Sequence, residues 1–185
     1  TERTAAALED QALATMNRVA TEYADALDRE ARRVATMVRL QADRAERLLR
    51  TPPDPSAQPW FDDAFDRSDP ALALEPRRTA GGVAVQVSLK HQVFRVAPGT
   101  SREAVSASAA ALVPMTRLYR QLRDPGDAVI RWHYVALENG LSAAWPGHGG
   151  YPETYDPRAR PWYRAQRDAP GFRWHPPHFD ASTQA

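Results

Sequence analysis

The chain has 185 residues, 43% hydrophobic and 25% charged, a composition of soluble globular proteins sized for one domain or one domain with an appendage. Its 24 basic and 23 acidic residues leave a net charge of +1, without the cationic excess that draws a phosphate backbone, so nucleic acid is not expected as a partner. The absence of Cys excludes disulfides, thiolate metal sites and a Cys nucleophile. No apolar run reaches the ~18 residues of a spanning helix, so membrane attachment is expected only through segments outside this sequence. Beginning at Thr1 without a charged-then-apolar leader, the sequence reads as an excised or processed piece.

From Leu8 to Leu49 there is neither Gly nor Pro. Met16, Ala20, Tyr23, Leu27, Ala31, Val34, Val38, Ala45 and Leu48 recur at helical spacing. One amphipathic helix of roughly 63 Å is predicted, at 1.5 Å per residue, longer than a small domain can cover. Residues 1–50 carry nine Arg and nine acidic residues, a solvated face with pairs at helical spacing such as Asp25/Arg29 and Asp43/Arg47. The apolar stripe is rich in Ala and interrupted by Gln41, which suits a weak homodimer through residues 8–49 better than a leucine-zipper core.

Four prolines between Thr51 and Pro59 end the helix, and a Pro-rich connector is expected over residues 51–82. Residues 83–185 are expected to form the folded module. Alternation at Val83, Val85, Val87 and Leu89, continued by Val93, Phe94 and Val96, predicts one bulged strand. Thr100 and Glu103 form a capping box for a helix reaching Leu122 with a kink at Pro114. Asn139-Gly140 between the apolar runs 129–137 and 141–145 predicts a β-hairpin. Asp156 is placed to cap a short helix with Pro157 in its first turn, and Arg173 to Phe179 is read as a further strand. This order describes an α+β fold with an antiparallel sheet.

Four of the five Trp fall between residues 132 and 177, among loops. Within that stretch Tyr155, Arg160, Trp162 and Tyr163 combine a planar fork of donors with aromatic walls, chemistry suited to a small anion. The alternative from composition is that Arg160 pairs with an internal acid such as Asp156 while the aromatics fill core. His175, His178 and Asp180 superficially offer a zinc set, but the two intervening prolines forbid a helical arrangement and strand alternation separates the histidines, so no metal is expected. No nucleophile elbow accompanies His133 or His148, so no catalytic residue is assigned. Gly147 to Gly150 lacks the Lys-Ser/Thr of a phosphate loop and reads as a turn.

The run NGLSAAWPGHGGYPETYDPRARPWYRAQ, followed by Trp174 and PHFDAST, resembles the Cache sensor domains. The likeness is to the membrane-distal module of double Cache domains in bacterial receptors and to the related module of calcium-channel auxiliary subunits. It covers residues 129–183 and centres on Arg160-Pro161-Trp162-Tyr163 with Gly150-Tyr151-Pro152 upstream. The resemblance implies a long helix packed on a PAS-like antiparallel sheet, an extracytoplasmic (periplasmic or extracellular) location in a bacterial inner-membrane protein, and a small ligand bound over the sheet. In the amino-acid-binding subset of that family, the positions matched by Arg160 and Trp162 hold the ligand carboxylate, and those matched by Tyr155, Tyr163 and Asp180 the amino group. His178 stands where that subset has Tyr, so a pocket with affinity varying between about pH 5.5 and 8 is expected. The family sheet gains strands after the turn at Asp180, so its last strands are expected beyond residue 185. The expected function is therefore an extracytoplasmic sensor of a small carboxylate such as an amino acid, without enzymatic activity or cofactor. A structural or dimerisation module is the alternative reading, and a metal-dependent hydrolase the third.

Overall fold

A computed structural model describes residues 2–123, 129–130, 132–169, 171–176 and 180–182. The chain divides into two units, one up to Leu40 and one from Gln41 onward, each taken by itself below. The run without Gly or Pro yields a single helix, α1 (Glu2–Leu49), as expected. In the first unit Leu8, Leu13, Met16, Val19, Tyr23 and Leu27 are exposed. The ion pairs formed there include Asp28–Arg32 and Glu30–Arg33.

The second unit begins with the end of α1, whose Gln41 and Ala45 are buried. The helix ends at Leu49, before Pro52, and Thr51 Oγ1 returns a hydrogen bond to the Arg47 carbonyl at 2.9 Å. Residues 60–79, which the sequence suggests as connector, contain β1 (Trp60–Phe61), α2 (Asp62–Asp66), a 3-10 turn at Pro70–Leu72 and β2 (Glu75–Thr79). The single strand expected over 83–96 is two strands, β3 (Ala84–Val87) and β4 (Val93–Val96), in different sheets. Ser88 makes the break: its hydroxyl donates to Leu72 O at 2.6 Å and accepts from His91 N at 3.1 Å, turning the chain out of line.

The helix after it is capped one residue later than expected. Ser101, not Thr100, accepts from Ala104 N at 3.2 Å and opens α3 (Arg102–Leu112). Pro114 does more than kink the run, since the residues beyond it form a separate helix, α4 (Met115–Leu122). Two carbonyls at the end of α3 find a donor in buried Gln92, whose Nε2 reaches Leu112 O at 2.6 Å and Val113 O at 3.2 Å.

The Asn139-Gly140 hairpin forms from β6 (His133–Ala136) and β7 (Leu141–Trp145), but the apolar run 129–137 expected as its first strand is divided, since Val129–Ile130 is a separate strand, β5, that pairs with β2 in another sheet. The fold is thus α+β, with one correction to the expected antiparallel sheet. The main sheet, ordered β1-β4-β7-β6, is mixed because β1 runs parallel to β4. The smaller sheet, β3-β2-β5, is mixed too, since β5 pairs parallel with β2. The described residues 173–176, read as strand from the sequence, are irregular, and 177–179 lie outside the described residues.

Register sorts the main sheet into two faces, because side chains alternate along each strand. Phe94, Leu141, Ala143 and Trp145 share one face, packed with Val105, Ala109, Leu112, Met115 and Tyr119 of α3 and α4 and with Ala45 of α1. Val93 and Ala144 lie on the other, against Ala64, Phe65 and Leu72. The loop after β7 crosses this second face at Gly147, where no side chain fits: an added Cβ would sit 2.5 Å from the Phe65 ring and 2.6 Å from the His91 carbonyl oxygen. Gly147→Ala is therefore expected to destabilise the fold by roughly 1–3 kcal/mol, as overpacking does. Urea unfolding checks this; an unchanged midpoint would mean that the loop yields freely.

Candidate functional site

The second face of the main sheet carries a cleft. Its floor follows from the hairpin register: Ala136 pairs with Ser142 and Tyr134 with Ala144, and all four line the cleft together with Val135, Ala143 and Trp132. Its walls come from the chain after the hairpin, namely Tyr151, Tyr155, Pro157, Arg160, Trp162, Asp180 and Ala181. The space reachable by the centre of a water-sized sphere is about 50 Å³. One water needs roughly 10–15 Å³ on that measure, so the cleft suits a small solute rather than a large cofactor.

Local sequence explains how the wall is set. Asp156 caps the 3-10 turn Pro157–Ala159 by accepting from Arg158 N at 2.9 Å, with Pro157 pre-shaped for its first position. The same carboxylate takes the Arg158 guanidinium through Nε at 3.0 Å and Nη2 at 2.9 Å. That side-chain hydrogen bonding holds Asp156 below the usual carboxylate range. The acid proposed from composition as a partner for Arg160 is thus taken by Arg158, while half-buried Arg160 stands at the cleft. Pro161 then starts α5 (Pro161–Asp168), which carries Trp162 to the wall.

Of the residues singled out in the sequence, Tyr155, Arg160, Trp162 and Asp180 come together here. Tyr163 does not: its hydroxyl donates to Glu138 Oε2 at 2.7 Å, beside the hairpin turn. Adjacent helix positions point in diverging directions, so Trp162 and Tyr163 cannot both enter one cleft easily. His178 lies outside the described residues, and with it the His175/His178/Asp180 zinc arrangement. Among the described residues no group of three His, Asp or Glu is placed to hold a metal ion. Tyr134 and Ser142 were not singled out in the sequence, and Trp132 and Tyr151 stood there only in the Trp cluster and the Gly150-Tyr151-Pro152 motif, not as ligand contacts. The signal for Tyr134 was available, since hairpin alternation puts it on one face with Ala136.

Among the described residues the cleft lining is amphoteric, with Arg160 as cation and Asp180 as acid beside aromatic rings. Tyr134 packs on Trp162 at 5.0 Å between ring centroids, and Tyr151 on Tyr155 at 5.2 Å. Burial raises the Tyr134 phenol, and the Asp180 carboxylate adds to that rise. Burial also pushes Tyr155 up to about 12 against the opposing charge of Arg160, and raises Tyr151 well above an ordinary phenol. All three therefore stay protonated at neutral pH and serve as hydroxyl donors.

Behind this wall Arg95 of β4, buried and register-paired with Ser142, donates to Asp62 and to the Pro152 carbonyl. Its guanidinium carbon lies 5.7 Å from the Tyr151 ring centroid and 6.0 Å from that of Tyr155. One side chain thus ties the sheet, α2 and the aromatic wall together. No protein-family model, no curated protein and no solved structure matches the chain.

Proposed function

We propose that this chain is a small-ligand sensor module of the Cache type, from the extracytoplasmic part of a membrane-bound signalling protein, and that its cleft binds a small carboxylate, an amino acid being the first candidate. The observation that carries this reading is the meeting of Arg160 and Asp180 at one small aromatic-walled cleft. A guanidinium matches a carboxylate through paired donors, and an acid matches an ammonium, so the pair is complementary to a zwitterion. The aromatic walls exclude water and strengthen both contacts. No catalytic step is needed. Transmission follows from differential affinity: a ligand touching both floor and wall favours the arrangement in which both are in reach.

A thermal-shift screen over amino acids and small organic acids tests this reading. At ~100 times its dissociation constant a ligand stabilises the fold by ~2.7 kcal/mol. A response to at least one carboxylate, absent with the matching amide, is expected. A flat response to all of them, with a response to zinc, would favour a metal-dependent hydrolase instead.

The partner proposed for the first unit is a second copy of this chain. Leu13, Met16, Tyr23 and Leu27 are 58%, 67%, 69% and 72% exposed. With Ala20 they step by three and four residues, the 3.5 average of a left-handed coiled coil. The small Ala contributes little area at ~25 cal/mol per Å², so the association is weak in isolation and strengthened by tethering at a membrane. Leu27→Asp is expected to abolish dimerisation in sedimentation runs at high concentration. A strictly monomeric parent protein, or a dimer indifferent to that change, would leave the seam without a role and weaken the receptor reading.

A further inference from the structure

His148 sits behind the cleft wall, 2% exposed, with the Trp132 ring stacked on it at 4.0 Å and Tyr151 at 5.0 Å. Its Nδ1 lies 2.9 Å from the Pro146 carbonyl oxygen, and its Nε2 lies 3.0 Å from Ser182 Oγ. Ser182 Oγ is in turn 2.6 Å from Asp180 Oδ1, which also accepts from Ser182 N at 2.9 Å. A string thus runs from a buried imidazole through one hydroxyl to the cleft's acid.

Counting protons shows that this string is one short. Nδ1 must carry a proton, because a carbonyl oxygen only accepts. The contacts on either side of Ser182 Oγ then need one proton each, three in all. A neutral imidazole, a hydroxyl and a carboxylate hold two between them. The Ser182 hydroxyl therefore serves either Asp180 or His148, unless the imidazole gains a second proton. A nucleophilic serine is a poor reading of the same atoms, since the carboxylate here is on the serine and competes for its proton, whereas a triad acid is on the far nitrogen of the histidine.

We propose that His148 acts through Ser182 as a positioning residue for Asp180: when the imidazole is neutral the Ser182 proton is free to turn away from the carboxylate, and when the imidazole is charged that proton is committed to it. The proposal rests on reading the cleft as a binding site for a ligand that carries a cationic group. With His148 neutral, the Ser182 hydroxyl no longer has to donate to Asp180 Oδ1, and the ligand's cationic group takes the place of that one donor beside the Ser182 N–H. A charged His148 donates Nε2–H to Ser182, directs the hydroxyl at Asp180 and adds a positive charge behind the wall. Both effects have one sign, so affinity for a cationic group falls on acidification.

Among the described residues, the charged and titratable groups around the string are Tyr134, Tyr151, Tyr155 and Arg160, which share the cleft with Asp180, Arg95, whose guanidinium faces the Tyr151 and Tyr155 rings, and Asp66 on α2, whose Oδ1 accepts from Gly150 N at 3.1 Å. Burial lowers the His148 pKa, with the Pro146 carbonyl and the Asp180 carboxylate opposing. The neutral form is therefore the resting one at neutral pH. The unfolded chain binds a proton near 6.5 where the native one does not, so this group also withdraws stability as pH falls from that value through the native one.

Nitrogen-15 spectra of the histidine-labelled protein without added ligand, His148 being assigned with His148→Gln, read the tautomer directly. Carbon-13 spectra read the Asp180 carboxyl. At pH 7.5 the proton of His148 is expected on Nδ1, with Nε2 bare. Ser182→Ala removes a hydrogen bond to the ionised carboxylate and should raise the Asp180 midpoint by about half a pH unit or more, while Ser182→Thr, which keeps the hydroxyl, should restore it. An Nε2–H tautomer, or an Asp180 midpoint indifferent to Ser182→Ala, overturns the proposal. These readouts need no ligand, so they stand apart from the amino-acid screen: a flat screen with the expected spectra would remove the ligand assignment and leave the coupling in place.

Discussion

Replacing Arg160 by Ala is expected to cost roughly 30-fold to several-thousand-fold in affinity for the carboxylate that the screen selects, with the fold intact. Truncating one member of a desolvated, hydrogen-bonded charge pair costs roughly 2–5 kcal/mol, at about 1.4 kcal/mol per factor of ten. Much of that is the penalty on the ligand carboxylate, left in an aromatic cleft without its donors. The fold should hold because Arg160 lies at the start of α5 with an extended backbone, and no side-chain hydrogen bond from it caps that helix. Asp156, which orders the turn before it, is tied to Arg158 and would be untouched. Lys at the same position keeps the charge but not the fork, so Arg160→Lys should recover only part of the affinity. Calorimetric titration of both variants decides it, and an Ala variant that binds normally would give Arg160 a purely structural role.

A larger loss of stability is expected at Arg95. Its guanidinium is buried between Asp62 and the Pro152 carbonyl, so Arg95→Met leaves a carboxylate short of its partner and a loop carbonyl without its donor. Removing one member of a buried pair costs roughly 3–5 kcal/mol. The low end applies, near 3 kcal/mol, because Asp62 is 21% exposed and keeps Arg102 at 3.8 Å. The double change Arg95→Met with Asp62→Asn should recover part of the loss, since an amide tolerates the site better than an orphaned charge. The variants also bear on function. Arg95 stands under Tyr151 and Tyr155, so a loosened wall should weaken ligand even where the protein remains folded. Urea unfolding of the single and double variants measures the first effect, and equal stability of Arg95→Met and the parent would contradict the account of the buried pair.

Legibility in the sequence tracked how local the controlling physics was. The long helix followed from apolar periodicity without Gly or Pro, and the hairpin from Asn139-Gly140, because each depends on residues adjacent in the chain. The Asp156 cap and its proline were legible for the same reason. The break at Ser88 was not, because its cause is a hydrogen bond to Leu72, sixteen residues earlier. Nor was the parallel pairing of Trp60-Phe61 with Val93-Phe94, which two residues of strand inside a proline-rich stretch do not announce. At the site, the family resemblance put Tyr155, Arg160, Trp162, Tyr163 and Asp180 on one list, and four of these five, all but Tyr163, line one cleft. Tyr163 failed that passage because a helix turns by about 100° per residue, which a spacing rule ignores. Arg95 and His148 act from behind the wall, through partners distant in sequence, and no local pattern marks them.

The binding reading is tested most directly by the indole N–H resonances of the five Trp on titration with individual amino acids. Trp132 and Trp162 line the cleft, whereas Trp145 is buried in the core on the opposite face of the sheet, and Trp60 and Trp174 are not among the lining residues. The account predicts saturable shifts of the Trp132 and Trp162 signals with at least one amino acid, lost in Arg160→Ala, while the other three stay in place. Indole signals unmoved by every amino acid at millimolar concentration, or shifts confined to Trp60, Trp145 or Trp174, would contradict it.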